Sequence, residues 1–194
     1  MRNRPGDSSL VARLDSLQHQ INELTRRSTR GPMCVVRLGA DVEFPARTDV
    51  LISASWNATP DTDTDGMWQY APGGTERSHL RIPAQGRYLI HFHQQWAWFA
   101  RGPEDAMLSA KLLRNSQTVA GNAIASTAVV AAQPSIAGGG VGGEGTAVDM
   151  ISTRPVLDVG DRIYVMGYTQ YAWRMLANAN GVPTWLAVSY LGPT

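Results

Sequence analysis

Two histidines are the residues of this 194-residue chain whose spacing most directly suggests chemistry. His91 and His93 are two positions apart in a segment with strand-like alternation, so both side chains should project from the same face of a sheet. Such a pair could reach one metal ion, although no third ligand is evident in the sequence. We expect instead a hydrogen-bonded pair at a contact between subunits, where protonation at about pH 6 would weaken the assembly.

An acidic run is the second candidate site. Asp61, Asp63 and Asp65, followed by Gly66, match the first half of a calcium loop, in which alternating carboxylates converge on one cation. The position that should supply a bidentate glutamate is Pro72, so the loop does not fit an EF-hand. The sequence therefore predicts a solvated acidic loop and no cofactor, with a looser calcium site in a β loop as the alternative.

A third candidate site is aromatic. Trp173, with Tyr171 and Arg174 close by, could stack on a sugar if the indole is exposed. The same side chains could pack at a subunit interface, which is the interpretation that we favour.

Catalytic motifs do not stand out. The chain has no Gly-x-Ser-x-Gly nucleophile elbow, and the glycine-rich segment 138–145 lacks the Lys and Ser/Thr of a phosphate-binding loop. We therefore predict that the protein is not an enzyme. Glycoside hydrolysis by two carboxyl groups stays open as an alternative, because their spacing is set in three dimensions.

The elements that must position these residues are β-strands. From Cys34 onward, segments rich in Val, Ile, Tyr and Trp recur between turn signals, as in a sandwich or barrel. The candidate strands are 34–38, 41–44, 49–56, 66–70, 78–82, 86–99, 106–114, 117–131, 146–157, 161–171, 173–178 and 184–191. In two of them, 86–99 and 161–171, both faces carry large side chains, which predicts a core on one face and a subunit contact on the other. We place His91, His93, Tyr164 and Tyr168 at that contact.

The first 30 residues follow a different pattern. Apolar residues at alternating spacings of four and three give the 3.5-residue period of a coiled coil: Leu10, Leu14, Leu17, Ile21 and Leu24. The sequence thus predicts an N-terminal arm (1–7), a coiled-coil helix (8–29), a linker (30–33) and an all-β head (34–194). A single amphipathic helix lying on its own domain is the alternative.

Composition excludes several classes of protein. A formal net charge of +1 gives no case for nucleic-acid binding, and the apolar runs are too short to span a membrane. Cys34 is the single cysteine, so no internal disulfide can form, and the N-terminus does not resemble a secretory signal. Of the 17 basic residues only Lys111 is a lysine, a bias that we attribute to a GC-rich genome.

Several short motifs occur in an order that resembles a known superfamily. In sequence they are Trp56, Asp65-Gly66-Met67-Trp68, Pro83-x-x-Gly86-x-Tyr88, Leu112-Leu113-Arg114-Asn115, Leu157-x-x-Gly160-Asp161-x-Ile163-x-Val165 and the closing strand Trp185–Gly192. This order resembles the jelly-roll heads shared by tumour necrosis factor and complement globular-head proteins, over about residues 35–194.

The resemblance implies a ten-stranded jelly-roll sandwich that assembles as a homotrimer, here behind a coiled-coil stalk. Combined with the arginine bias and the lack of disulfides and of a signal, it looks most like a bacteriophage virion protein of this superfamily: a capsid decoration, head fibre or minor tail protein. We expect contacts with other virion proteins, and with host-surface glycan if the head mediates attachment. A purely architectural, capsid-stabilising role and a soluble lectin-like or glycan-acting protein are the alternatives.

Overall fold

The computed structural model describes residues 31–73, 75–98, 105–118, 123–132, 146–179 and 181–194. The predicted arm, the coiled-coil helix with its leucine seam, and the glycine-rich segment 138–145 lie outside these residues, so those assignments stay predictions. Residues Pro32–Thr194 form one compact unit.

The described residues form fifteen strand segments and no helix, which confirms the all-β prediction. In chain order they are β1 (Met33–Arg37), β2 (Val42–Phe44), β3 (Thr48–Ile52), β4 (Thr62–Asp63), β5 (Trp68–Gln69), β6 (His79–Arg81), β7 (Gly86–Trp98), β8 (Asp105–Arg114), β9 (Ala123–Ala132), β10 (Thr146–Leu157), β11 (Arg162–Thr169), β12 (Trp173–Met175), β13 (Asn178–Ala179), β14 (Val182–Pro183) and β15 (Trp185–Gly192). Several segments are only two residues long, and the count of ten implied by the resemblance stays a prediction.

Two antiparallel sheets make the sandwich. The first sheet has the order β2-β12-β7-β15-β1-β4, with β10 on the other edge of β7. The second sheet has the order β5-β6-β11-β8-β9, with β3 also paired to β11. A small β13–β14 hairpin completes the described strands. The long strand β7 is therefore the centre of the first sheet, and β11 holds the same place in the second.

The core lies between the two sheets and follows the predicted alternation. On β7, the even-numbered residues Tyr88, Ile90, Phe92 and Trp96 are fully buried. Opposite them, Ile163 and Val165 of β11 belong to the same apolar cluster. Because strand side chains alternate between faces, the odd-numbered residues of β7 and the even-numbered residues of β11 must lie on the two outer faces.

Strand ends differ from the predictions where turns compete with strands. The predicted strand 49–56 ends at Ile52, because the chain turns there and the Trp56 indole N–H donates a hydrogen bond to the Ile52 carbonyl over 3.1 Å. Of the predicted strand 117–131, residues 117 and 118 are not in a strand, and the described residues from Ala123 onward form β9. Strand β4 and the β13–β14 hairpin were not predicted, since two-residue strands have no periodicity to detect.

Two of the short sequence motifs, Arg114-Asn115 and Gly160-Asp161, are hydrogen-bonded to each other at one end of the second sheet. The Asn115 side chain donates to Asp161 Oδ1 over 2.6 Å, and Arg114 forms an ion pair with Asp161 Oδ2 over 2.6 Å. Asp161 also accepts the backbone N–H of Asp158 over 2.7 Å. The Arg-Asn end of β8 and the Gly-Asp turn before β11 are thus two halves of one polar network, which explains why they occur together.

The start of β7 shows why the motif needs its glycine and tyrosine. The Tyr88 hydroxyl donates to the Ala84 carbonyl over 2.6 Å, closing the turn that precedes the strand. A Cβ atom on Gly86 would lie 2.3 Å from Cε2 of Tyr190 and 2.5 Å from the Gly192 carbonyl oxygen. Only glycine lets β15 come this close to the beginning of β7.

Candidate functional site: a histidine–aspartate cluster on the outer face of the first sheet

The predicted histidine pair lies where three long strands run side by side. In the register of the sheet, Asp149 of β10 and Trp185 of β15 are the neighbours of His93 on its two sides. Ile151 of β10 is the cross-strand neighbour of His91. All of these positions lie on the outer face, because the residues between them point into the core. The sheet therefore brings one carboxylate and one indole to the two imidazoles.

The hydrogen bonds of the cluster converge on a single oxygen atom. His91 Nε2 and His93 Nδ1 each lie 2.8 Å from Oδ1 of Asp149, and both ring N–H groups donate to that carboxylate. On the other side of the His93 ring, the buried Gln95 amide donates from Nε2 to His93 Nε2 over 2.7 Å. In this arrangement His93 donates from Nδ1 to the carboxylate and accepts the amide N–H at Nε2.

An indole packs against both histidines. The ring centroids of His93 and Trp185 are 5.7 Å apart and nearly parallel, at 20°. The His91 ring meets the same indole edge-on, with centroids 4.4 Å apart. Trp185 thus limits the rotation of both imidazoles and shields one side of each from water.

The cluster changes the acidity of its carboxyl group. Partial burial alone would raise the pKa of Asp149. The hydrogen bonds from His93 and His91, together with the positive charge that these rings can carry, lower the pKa by more than burial raises it. The net result is an Asp149 pKa below its ordinary value. Asp149 is therefore ionised throughout the range in which histidine takes up protons.

The surface around the cluster is apolar. Ile151 is 55% exposed, and Met33 and Val156 are also exposed on the same outer face. Their inward neighbours along the strands, Cys34 and Leu157, are fully buried, which fixes the direction of the exposed side chains. Histidine, tryptophan and aliphatic side chains together are more typical of a protein–protein contact than of a solvated surface.

Metal ligation finds no support in the described residues. Among them, no group of three His, Cys, Asp or Glu side chains could hold a metal ion. Asp63 accepts the backbone N–H groups of Met67 and Trp68 over 2.7 and 2.9 Å, and so organises a turn. Asp61 pairs with Arg37, while Asp65 accepts the Thr64 hydroxyl over 2.6 Å. The three aspartates of the acidic run thus have separate partners.

The aromatic candidate site differs from its prediction. Trp173 is 0% exposed and belongs to the core, so the assumption of an exposed indole is wrong. Tyr171 is half-buried against the same core. Arg174 is within 3.6 Å of both Asp41 and Glu43. The prediction failed for a physical reason. Strand β12 is only three residues long, and the burial of Trp173 depends on the pairing of this strand with β7.

The two tyrosines grouped with the histidines lie on the other sheet. Tyr164 and Tyr168 are on the outer face of β11, whereas His91 and His93 are on the outer face of β7, with the core between them. Tyr164 is buried in a small cluster with Leu113 and Met166. The structure therefore does not place these tyrosines and histidines in one patch.

Asp149 and Trp185 are the residues of the cluster that sequence reasoning missed. Alternation within β7 placed the histidines on one face, but only the pairing of β7 with β10 and β15 brings the carboxylate and the indole to them. The register of strands distant in sequence has no local signal.

Comparisons with known proteins agree with this architecture. No family model matches the chain, and no curated protein matches it either. Among solved structures, the crystal structure of murine APRIL at pH 8.0 is similar, with a TM-score of 0.52, 13% sequence identity, and coverage of 84% of this chain and 100% of that one. This chain has a TNF-like jelly-roll fold. At 13% identity, this similarity concerns the fold and not the function.

Among the described residues, no helix has the length and apolar character that crossing a membrane requires.

Proposed function

We propose that this chain is a non-enzymatic, homotrimeric structural protein on the surface of a bacteriophage particle. It is a capsid decoration, head fibre or minor tail protein whose jelly-roll head is exposed and binds the host surface, with host glycan as the class of receptor. Its other partners are the virion proteins that hold it on the particle.

The observation that carries the trimer is the outer face of the first sheet. Met33, Ile151 and Val156 are exposed there, next to two imidazoles that the chain itself covers only in part. Leaving such a surface in water forgoes about 25 cal/mol for every Å² that a partner could bury. A second copy of the same head is the partner that the predicted leucine seam, Leu10 to Leu24, would supply at high local concentration.

The assignment to a phage particle rests on the sequence. The motif order resembles superfamily members found in virions, and the arginine bias agrees with a high-GC host. Three heads on one stalk would bind a repetitive host surface with higher avidity than a single head.

Sedimentation equilibrium of the full chain tests the trimer. The expected mass is about three times the 21.0 kDa of one chain, at micromolar concentration. A mass of one chain over the whole concentration range would refute the homotrimer.

Imaging of whole particles tests the location. A gold-labelled antibody against the head should decorate the particles at regular positions, and particles lacking the chain should adsorb poorly to host cells. Particles that lack the chain, adsorb normally and are heat-labile would replace attachment with the architectural role. Unlabelled particles would refute the virion assignment.

A further inference from the structure

We propose that the histidine–aspartate cluster of His91, His93, Asp149, Gln95 and Trp185 is a proton-binding site that regulates assembly of the trimer, so that association takes up a proton at each cluster. This inference rests on the proposed function, because it requires that the outer face of the first sheet be buried between subunits. It also changes the direction expected from the sequence, where protonation was predicted only to weaken the assembly.

The charge of the cluster is the first step. Two neutral imidazoles and one ionised carboxylate carry a net charge of −1. Burial of an uncompensated charge at an interface is costly, whereas a neutral pair that keeps its hydrogen bonds costs far less. Assembly should therefore favour the form in which one imidazole is protonated and pairs with Asp149 over 2.8 Å.

Among the described side chains of the surrounding strands, no other group makes a direct ion pair with Asp149. On β15, the residues that face the histidines are Trp185 and Ala187, and on β10 the neighbour of His91 is Ile151, none of which titrates.

Three arginines of this sheet lie farther from Asp149 than the two histidines do in the register of the strands. Arg37 of β1 is beyond Trp185 in the register and pairs with Asp61. Arg87 is four positions along β7 from His91. Arg174 of β12 is paired with Ala97 in the register and lies near Asp41 and Glu43. The strand β9, which lies near β10, contains no titratable residue. Among the side chains that the structure describes, the two histidines are thus the titratable groups in contact with Asp149.

The hydrogen bonds assign the order of protonation. The Gln95 amide donates to Nε2 of His93, so this nitrogen already accepts a hydrogen bond and a proton added there would meet the amide N–H. His91 uses Nε2 to donate to Asp149, so its Nδ1 can accept the first proton without breaking this bond. The protonated His91 and ionised Asp149 then form a neutral ion pair.

A second proton has the opposite effect. It must enter at Nε2 of His93, where the Gln95 amide would have to turn over and present its oxygen. The cluster would then carry a net charge of +1 at the interface. Association should therefore be strongest when each cluster holds one proton, and weaker at both alkaline and acid pH.

The test is the pH dependence of trimer association in the full chain, measured by sedimentation equilibrium from pH 8.5 to 5. For the wild type, the association constant should rise at least tenfold between pH 8.5 and its maximum, as expected from linkage when protons are taken up on binding, and fall again toward pH 5. The variant Asp149→Asn has a neutral cluster at pH 8. Its association constant should therefore be highest at alkaline pH and fall continuously as the pH is lowered to 5. His91→Gln should remain weak at alkaline pH and show no rise.

Asp49→Asn is the matched control, because Asp49 is a partly exposed carboxylate that pairs with Lys111 on the second sheet. It should keep the wild-type profile. A wild-type trimer whose association does not change with pH, or an Asp149→Asn profile equal to that of the wild type, would overturn this inference and leave the homotrimer standing. A monomer at every pH would instead overturn the homotrimer on which it rests. Circular dichroism at each pH separates dissociation from unfolding.

Discussion

The outer faces of the two sheets are built from similar residue types but leave different surfaces exposed. On the second sheet, Leu113, Tyr164 and Met166 form an apolar cluster that is buried within the chain. On the first sheet, Ile151 and Met33 are exposed, and the histidine–aspartate cluster lies between their strands.

Their charged groups differ in the same way. Lys111 on the second sheet has a carboxylate partner, Asp49, at 3.3 Å. On the first sheet, Asp149 has no lysine or arginine partner among the described side chains, and its Oδ1 accepts hydrogen bonds from the two imidazoles. The comparison indicates that the second face is complete in a single chain, whereas the first is suited to be covered by a partner.

A charge placed on the first face should have the largest effect. Ile151→Glu would bury an unpaired carboxylate in each subunit contact, at a cost of roughly 3 kcal/mol or more per site. The trimer should dissociate to monomers at micromolar concentration, measured by sedimentation equilibrium. Val159→Glu is the control, since Val159 is the more exposed side chain at 67% and lies in the turn before Gly160. Equal masses for the two variants would contradict the proposed interface.

Loss of the polar network at the end of the second sheet should be the largest change within one chain. Asp161 is only 7% exposed, and Asp161→Ala leaves the Asn115 amide and the Asp158 N–H without this acceptor. It also removes one of the two carboxylate partners of Arg114, the other being Asp158. We expect the free energy of unfolding to fall by about 3 kcal/mol in urea titrations. A loss below 1 kcal/mol would show that water replaces the carboxylate.

The same carboxylate predicts a pH dependence. Burial raises the pKa of Asp161. Hydrogen bonds from the Asp158 backbone, Asn115 and Arg114 have the larger, opposite effect, so the pKa lies below the ordinary 3.8. Because the folded-state pKa is depressed, its contribution to stability is present above pH 3.8 and is lost as the pH falls through the folded value. The slope of unfolding free energy against pH in this acid range should be smaller in Asp161→Asn than in the wild type.

Overpacking between the sheets should have an intermediate effect. A Cβ atom on Gly167 of β11 would lie 2.4 Å from Cε1 of Phe44, which belongs to the first sheet. Gly167→Ala should therefore destabilise the chain by roughly 1–3 kcal/mol in thermal or urea unfolding. The double variant with Phe44→Leu should recover part of the loss, and strict additivity of the two changes would argue against this contact.

The smallest effect is expected on the second face. Asp49→Asn removes a partly exposed ion pair with Lys111, and such pairs contribute less than about 1 kcal/mol. Both the unfolding free energy and the oligomeric mass should stay near the wild-type values. A dissociated Asp49→Asn variant would show that the second face also takes part in assembly.

The sequence predicted what depends on local alternation and missed what depends on long-range pairing. The faces of β7 were predictable because a period of two places Phe92 and His93 on opposite sides. Asp149 was not, because its position beside the histidines depends on the register between β7 and β10. The burial of Trp173 in the core of its own chain was missed for the same reason, because it depends on the pairing of the three-residue strand β12 with β7.

The most direct test of the central claim is hydroxyl-radical footprinting of the wild type against the monomeric Ile151→Glu variant. In a single chain, Met33 of the first sheet is 36% exposed and Tyr70, outside the proposed contact, is 39% exposed. The account predicts that Met33 and Trp185 are protected in the wild type and become reactive in the variant, while Tyr70 and Tyr168 react equally in both. Unprotected Met33 and Trp185 in the wild type, with the second sheet protected instead, would contradict it.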